Sequence, residues 1–123
     1  MQRLFVSVGS FLACLSVVLG AFGTHALRGS FSSKQIETWQ AGTHYHLVHA
    51  VALILVGALI QGETTKFQRL AGLMFMTGIV IFAGSLYLLA LTSAKWLGAV
   101  APIGGLCLIL GWICLGISAQ KSA

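Results

Sequence analysis

The side chains most suited to chemistry are histidines and hydroxyl groups that fall inside long apolar stretches of the sequence. Polar groups at membrane depth are costly unless they are paired, so each is a candidate for a functional site. Tyr45 and His49 are four residues apart and share one face of a helix, and His46 can neighbour His49 at a spacing of three. We predict one intramembrane cluster, formed by His25, Tyr45, His46, His49, Ser85, Tyr87 and Pro102.

Several kinds of chemistry fit such a cluster. The simplest is internal hydrogen bonding that fixes the register of the helices. A second is binding of a lipid, quinone or other small molecule beside the cluster, and a third is a proton relay through histidine. Pro102 frees the carbonyl of Gly98, so a kink there is a candidate to open a small polar cavity. The expected cofactor is none, with a metal or haem at His25 and His49 as an alternative that no intramembrane carboxylate assists.

Catalysis is not expected from these residues. The sequence shows no nucleophile–base pair, no paired carboxylates and no phosphate-binding loop, and its two acidic residues, Glu37 and Glu63, fall in different loops. The three cysteines all fall in apolar stretches, and an odd count gives no disulfide framework, so they are predicted to be small buried hydrophobes. We therefore expect no catalytic residue and no enzyme activity.

The elements that must hold these side chains follow from composition. Of 123 residues, 58% are apolar and only 7% are charged, and the mean hydropathy is +0.96. Since a soluble domain carries roughly 25% charged residues, a water-soluble globular fold is excluded. A membrane-spanning helix needs about 20 apolar residues, and the windows that qualify are 4–23, 41–60, 70–92 and 96–118. The predicted fold is all-α: a single transmembrane domain over residues 1–123, folded as an antiparallel four-helix bundle.

The distribution of charge predicts the orientation of this bundle. Four spans place both termini on one side of the membrane, and depth counted along the spans puts the polar residues in the opposite half of the bilayer. The seven basic residues are scattered, so no nucleic-acid partner is expected. Four of them lie on the side of the termini, a weak excess that predicts cytoplasmic termini, N-in and C-in. These four are Arg3, Lys66, Arg69 and Lys121.

The first loop and the first span carry two further signals. Ser32 and Gln35 fit a capping box, which predicts an interfacial helical segment that begins near Ser33 and bends at Gly42. Small residues recur at steps of three and four along the first span, which predicts that another helix lies close against this face. The glycine-rich fourth span offers a surface for that contact. The small residues are Gly9, Ala13, Ser16, Gly20 and Gly23.

The chain resembles the small membrane proteins grouped as domain of unknown function 423, which are related to mitochondrial transmembrane protein 256. The resemblance covers nearly the whole chain, although Thr24 and Ala101 depart from the usual alanine and threonine. It implies an integral protein of the bacterial inner (plasma) membrane, or of the mitochondrial inner membrane in a eukaryote, and it supplies no activity, substrate or catalytic residue. The matching pieces are GAFGTH at 20–25, YHLVHA at 45–50, GSLY at 84–87, LAL at 89–91, APIGG at 101–105 and GW at 111–112.

Two functions from different classes remain open at this point. Small size, the lack of a soluble domain and the small-residue faces favour a non-enzymatic accessory or scaffold component of a membrane assembly. Its partners would be the lipid bilayer, other membrane subunits or a second copy of the chain. The alternative is a protein that binds a small molecule, a lipid or quinone, or an ion through the predicted cluster.

Overall fold

A computed structural model describes residues 1–122, and it is helical with no strand in that range. A π-helical turn, Gly23–Leu27, extends α1, and a second one, Ile79–Ala83, joins α3 to α4 without a break in the helix. The helices are α1 (Gln2–Phe22), α2 (Ser33–Leu59), α3 (Lys66–Gly78), α4 (Gly84–Thr92) and α5 (Leu97–Ser122).

Within residues 1–122, four helical spans are long and apolar enough to cross a membrane, which confirms the predicted all-α transmembrane fold. Each span is longer than the apolar window that predicted it and extends beyond it at one end or both. The windows count apolar residues only, whereas helices continue through polar flanks until a cap or turn ends them. The spans are Gln2–Leu27, Ser33–Leu59, Lys66–Thr92 and Leu97–Lys121.

Capping boxes start α2 and α3. The Ser32 hydroxyl accepts from the N–H of Gln35 at 3.2 Å, and the Gln35 side chain accepts from the N–H of Ser32 at 2.8 Å, as the sequence predicted. Thr65 and Gln68 form the same pair at the start of α3, which the sequence analysis did not identify. The predicted interfacial segment is continuous with the second span, because α2 is helical without interruption through Gly42.

The small residues of α1 do lie close against another helix, but that helix is α2. A Cβ on Gly9 would come within 2.6 Å of Ile54, and a Cβ on Gly23 would collide with the ring of Trp39. The suggestion that the fourth span supplies this contact is wrong. The loop between the first two spans is short, so α2 folds back directly against α1.

The glycines of α5 instead receive aromatic side chains of the third span. A Cβ on Gly111 would lie 2.7 Å from the ring of Phe75, and a Cβ on Gly104 would run into the backbone of Phe82. The tightest part of the core lies at the end of the bundle that holds the chain termini. Its largest fully buried side chains are Phe5, Leu53, Val56 and Phe75.

Candidate intramembrane site

His46 and Tyr87 form a buried pair between α2 and α4. The Nδ1 atom of His46 lies 2.8 Å from the Tyr87 hydroxyl, and the His46 side chain is only 2% exposed. Gly42 makes room for the tyrosine, since a Cβ there would lie 2.8 Å from the ring. The pair therefore fixes how closely α4 approaches α2.

The other nitrogen of His46 faces α1. Nε2 is buried and has no hydrogen-bond partner among the described residues, and the backbone of Leu12 faces the ring without reaching hydrogen-bond geometry. Trp39 packs against the tyrosine of this pair, with the centroids of the two rings 4.8 Å apart. Its indole N–H donates to the carbonyl of Leu19 at 2.8 Å, so one tryptophan ties α1, α2 and α4 together.

His49 is bonded at both ring nitrogens. The indole N–H of Trp112 lies 2.9 Å from Nε2, and Nδ1 lies 2.7 Å from the carbonyl oxygen of Tyr45. Because an indole only donates, Nε2 must accept, and Nδ1 must carry the proton that the Tyr45 carbonyl accepts. This hydrogen-bond pattern assigns His49 as a neutral imidazole that joins α2 to α5.

The predicted cluster is therefore two pairs that face different neighbours. His46 turns to α4, whereas His49, three residues further along α2, turns to α5. Tyr45 lies beside the second pair, with its ring stacked on His49 at a centroid distance of 6.2 Å. The structure thus brings Tyr45, His49 and Trp112 together on one side of α2, and His46 and Tyr87 on another.

The remaining predicted residues lie outside both pairs. The Ser85 hydroxyl donates to the carbonyl of Ile81 within its own helix, at the second π-helical turn. His25 is exposed on the first π-helical turn. Pro102 is exposed on α5, which stays helical on both sides of it. Counting residues along a span predicts depth, but it does not predict the rotation that decides where each side chain points.

A groove between α2 and α5, hereafter the α2–α5 groove, opens beside the His49–Trp112 pair. It has a volume of about 460 Å³, and most of its lining is apolar. The rings of Tyr45 and Phe82 meet edge-on with their centroids 5.1 Å apart, and Trp112 adds a third ring. Aromatic side chains from three spans therefore line the groove. Its lining residues are His44, Tyr45, Val48, His49, Phe82, Gly105, Leu108, Ile109 and Trp112.

The second π-helical turn shapes this groove. Phe82 lies in that turn, and Gly104 lets α5 pack directly on its backbone. Single π-helical turns inside α-helices occur often at functional sites, because the extra residue redirects the side chains around it. An apolar groove with a few polar groups at its edge, here His44 and the Tyr45 hydroxyl, is suited to hold an amphipathic molecule.

Sequence reasoning missed the two aromatic residues that complete the groove, Phe82 and Trp112. A signal for Trp112 was present, because an indole N–H in an otherwise aliphatic span needs an acceptor. The sequence carried no such signal for Phe82, because its place in the groove depends on the second π-helical turn, which the periodicity of apolar residues does not reveal.

For the metal or haem alternative, His49 would have to give up one of its two hydrogen bonds, and no group of three potential metal ligands occurs within residues 1–122.

Comparisons with known proteins place this architecture in a family. The family model described as "Protein of unknown function (DUF423)" matches residues 19–105. A UPF0382 membrane protein of Staphylococcus haemolyticus is 43% identical over 120 residues, which cover 98% of each chain. The UPF0382 membrane protein YwdK of Bacillus subtilis is 39% identical over 125 residues, again covering 98% of each chain. No solved structure matches. The chain thus belongs to the DUF423 family, whose matched relatives are small bacterial membrane proteins.

Proposed function

We propose that this protein is a non-enzymatic membrane protein that binds a small amphipathic molecule, of the lipid or quinone class, in the α2–α5 groove. One observation carries the proposal. The groove of about 460 Å³ opens beside three aromatic rings, and the histidine in its wall is already bonded at both nitrogens. The groove can therefore hold an apolar body without breaking the pairing of the helices.

Each part of the groove has a distinct role in this proposal. Val48 and Ile109 would contact the apolar body, and Tyr45, which is 44% exposed, would present its hydroxyl and ring to the polar end. His49 would contact the ligand through its ring, while His46 and Tyr87 hold the helices in position. The proposal assigns no contact to His25, Ser85 or Pro102.

The chemistry proposed is binding alone, with no catalytic residue and no cofactor. A general base needs a free lone pair within reach of its substrate. The lone pair of His49 accepts from Trp112.

We further propose that the protein resides in the bacterial inner membrane with both termini in the cytoplasm. The excess of basic residues on the side of the termini supports this orientation. Labelling of a single cysteine at residue 2 or residue 29 in intact cells tests it, in a chain whose three native cysteines are replaced by serine.

The binding proposal is tested by native mass spectrometry of the full chain purified from its own membrane in mild detergent. Wild-type protein should carry a bound lipid or quinone, and its mass identifies which. Gly105→Leu should remove it, because the new side chain points into the groove beside Phe82, where a Cβ meets only ordinary contacts at 3.7 Å. Gly116→Leu, the same change in open space on the same helix, is the matched control. Equal retention of the molecule by both variants would refute the proposal.

A second candidate function, an accessory subunit that packs against another helix, has its own observation. Gly98 and Gly116 are 18 residues apart, which is five turns, so they share one face of α5, and a Cβ at either position meets nothing within 4 Å. Small residues on an outer face let another helix approach closely. If this function holds, chemical crosslinking in membranes should capture a partner or a second copy, and Gly116→Leu should abolish the crosslink while Gly105→Leu keeps it.

A further inference from the structure

A second groove, hereafter the interfacial groove, lies at the membrane edge opposite the chain termini. It has a volume of about 460 Å³ and lies between the start of α2 and the end of α4 with its following loop. Six of its eight lining residues are polar or basic, and the other two are Leu89 and Ala90. The six polar or basic residues are Ser32, Lys34, Gln35, Thr38, Ser93 and Lys95.

Two lysines from separate elements converge on this groove. Lys34 comes from the first turn of α2, and Lys95 comes from the loop between α4 and α5. Neither Glu37 nor Glu63, the only acidic residues of the chain, lines it. The groove therefore concentrates positive charge with no carboxylate in its wall.

Hydrogen bonds hold three of the side chains that line the groove, those of Ser32, Gln35 and Thr38. The Gln35 side chain accepts from the N–H of Ser32 at 2.8 Å and donates to the carbonyl of Ala90 at 2.9 Å, which ties α2 to α4. Thr38 donates to the carbonyl of Lys34 at 3.0 Å. These bonds fix the start of α2 against the end of α4, so the two elements that carry the lysines keep their relative position.

Ser93 adds a further feature at the rim. It has a left-handed backbone with φ of 58°, a conformation usually reserved for glycine, and it ends α4. A residue other than glycine in this conformation is strained and is over-represented at ligand sites. Because position 93 is a serine and not a glycine, the turn places a hydroxyl group on the lining of the groove.

We propose that the interfacial groove binds a phosphate-type oxyanion between Lys34 and Lys95. Two ammonium groups and the hydroxyls of Ser32 and Ser93 offer several donors to the oxygens of one tetrahedral anion. The same chemistry is presented by the headgroup of an anionic phospholipid and by free phosphate. Trp96, 67% exposed beside Lys95, has the position of an interfacial aromatic anchor, which sets the groove at headgroup depth. This site is separate from the α2–α5 groove and stands without it.

Fluorescence energy transfer tests the proposal on the full chain in neutral detergent. The tryptophans are donors, and dansyl-labelled phosphatidylglycerol or phosphatidylcholine is the acceptor. Lys34→Gln with Lys95→Gln should weaken phosphatidylglycerol affinity by roughly fivefold for each lysine, since a basic residue near a membrane surface contributes about that factor. Lys66→Gln with Arg69→Gln removes the same charge at the opposite edge and should change nothing.

Competition then separates the two sources of the anion. If unlabelled phosphatidylglycerol displaces the probe and inorganic phosphate does not, the ligand is a lipid headgroup. If inorganic phosphate also displaces it, the oxyanion alone suffices. The proposal is overturned if both double variants lose affinity equally, if neither does, or if phosphatidylcholine binds as tightly as phosphatidylglycerol.

Discussion

The indole N–H of Trp112 donates to Nε2 of His49 across 2.9 Å, and this bond joins α5 to α2 at the wall of the α2–α5 groove. Both ring systems also pack against Phe75, at centroid distances of 5.1 and 5.8 Å. A polar pair inside an apolar bundle thus sets the distance between two helices.

The two partners of this pair should be energetically coupled. Trp112→Phe leaves Nε2 of His49 buried without a donor, which should lower the free energy of unfolding by about 1–3 kcal/mol. His49→Phe with Trp112→Phe removes both polar groups, so its cost should be smaller than the sum of the single changes. Unfolding in mixed dodecyl maltoside and SDS micelles measures each value. Trp96→Phe, at an exposed position, is the control, and strict additivity would contradict the expected coupling.

Substitution of Tyr87 should affect the stability of the fold, whereas substitution of Tyr45 should affect ligand binding. Tyr87→Phe removes the only hydrogen-bond partner of His46 in the described chain, so it should destabilise the fold by about 1–3 kcal/mol. Tyr45→Phe removes an exposed hydroxyl and should leave stability unchanged while lowering ligand retention in native mass spectrometry. Equal stabilities of the two variants would argue against the role of the His46–Tyr87 pair.

Gly104 should tolerate no side chain. Its Cβ would meet the backbone of Phe82, which cannot rotate away as a side chain can. Gly104→Ala should therefore cost about 1–3 kcal/mol, the range for overpacking, and should disturb the groove beside it. Gly98→Ala, in open space at the start of the same helix, should cause no loss of stability in the same unfolding assay. A neutral Gly104→Ala would mean that α5 is farther from the π-helical turn than described.

Replacing Ser93 by glycine should raise the stability of the fold and weaken ligand binding. Ser93→Gly relieves the left-handed strain and should raise the free energy of unfolding by about 0.5–1 kcal/mol after the entropy cost of glycine is deducted. The same change removes a hydroxyl from the interfacial groove and should weaken phosphatidylglycerol binding. Ser93→Ala separates the two effects, because it loses the hydroxyl and keeps the strain. A destabilised Ser93→Gly would show that the turn is not strained.

The parts of the structure that sequence reasoning predicted follow from local rules. Apolar length gave the four spans, and the Ser32–Gln35 spacing gave the start of α2, because both depend on neighbouring residues only. The i, i+4 spacing also placed Tyr45 and His49 on one face, where their rings stack.

The site itself could be predicted only in part, because it depends on how the helices rotate against each other. A π-helical turn inserts one extra residue, so the side chains after it are turned by about 100° relative to an uninterrupted α-helix. The turn Ile79–Ala83 therefore decides where Tyr87 points, and no apolar pattern reveals it. Trp112 was missed for the related reason that its partner lies on a distant span.

Photolabelling with a diazirine-bearing lipid or quinone analogue, followed by peptide mapping of the labelled chain, tests ligand binding in the α2–α5 groove most directly. Label should concentrate on the groove residues of α2 and α5, around Val48 and Ile109, and Gly105→Leu should remove it. The outer face of α1, where Val17 is 61% exposed, reports ordinary contact with bulk lipid. Equal labelling of α1 and the groove, unchanged by Gly105→Leu, would contradict binding there.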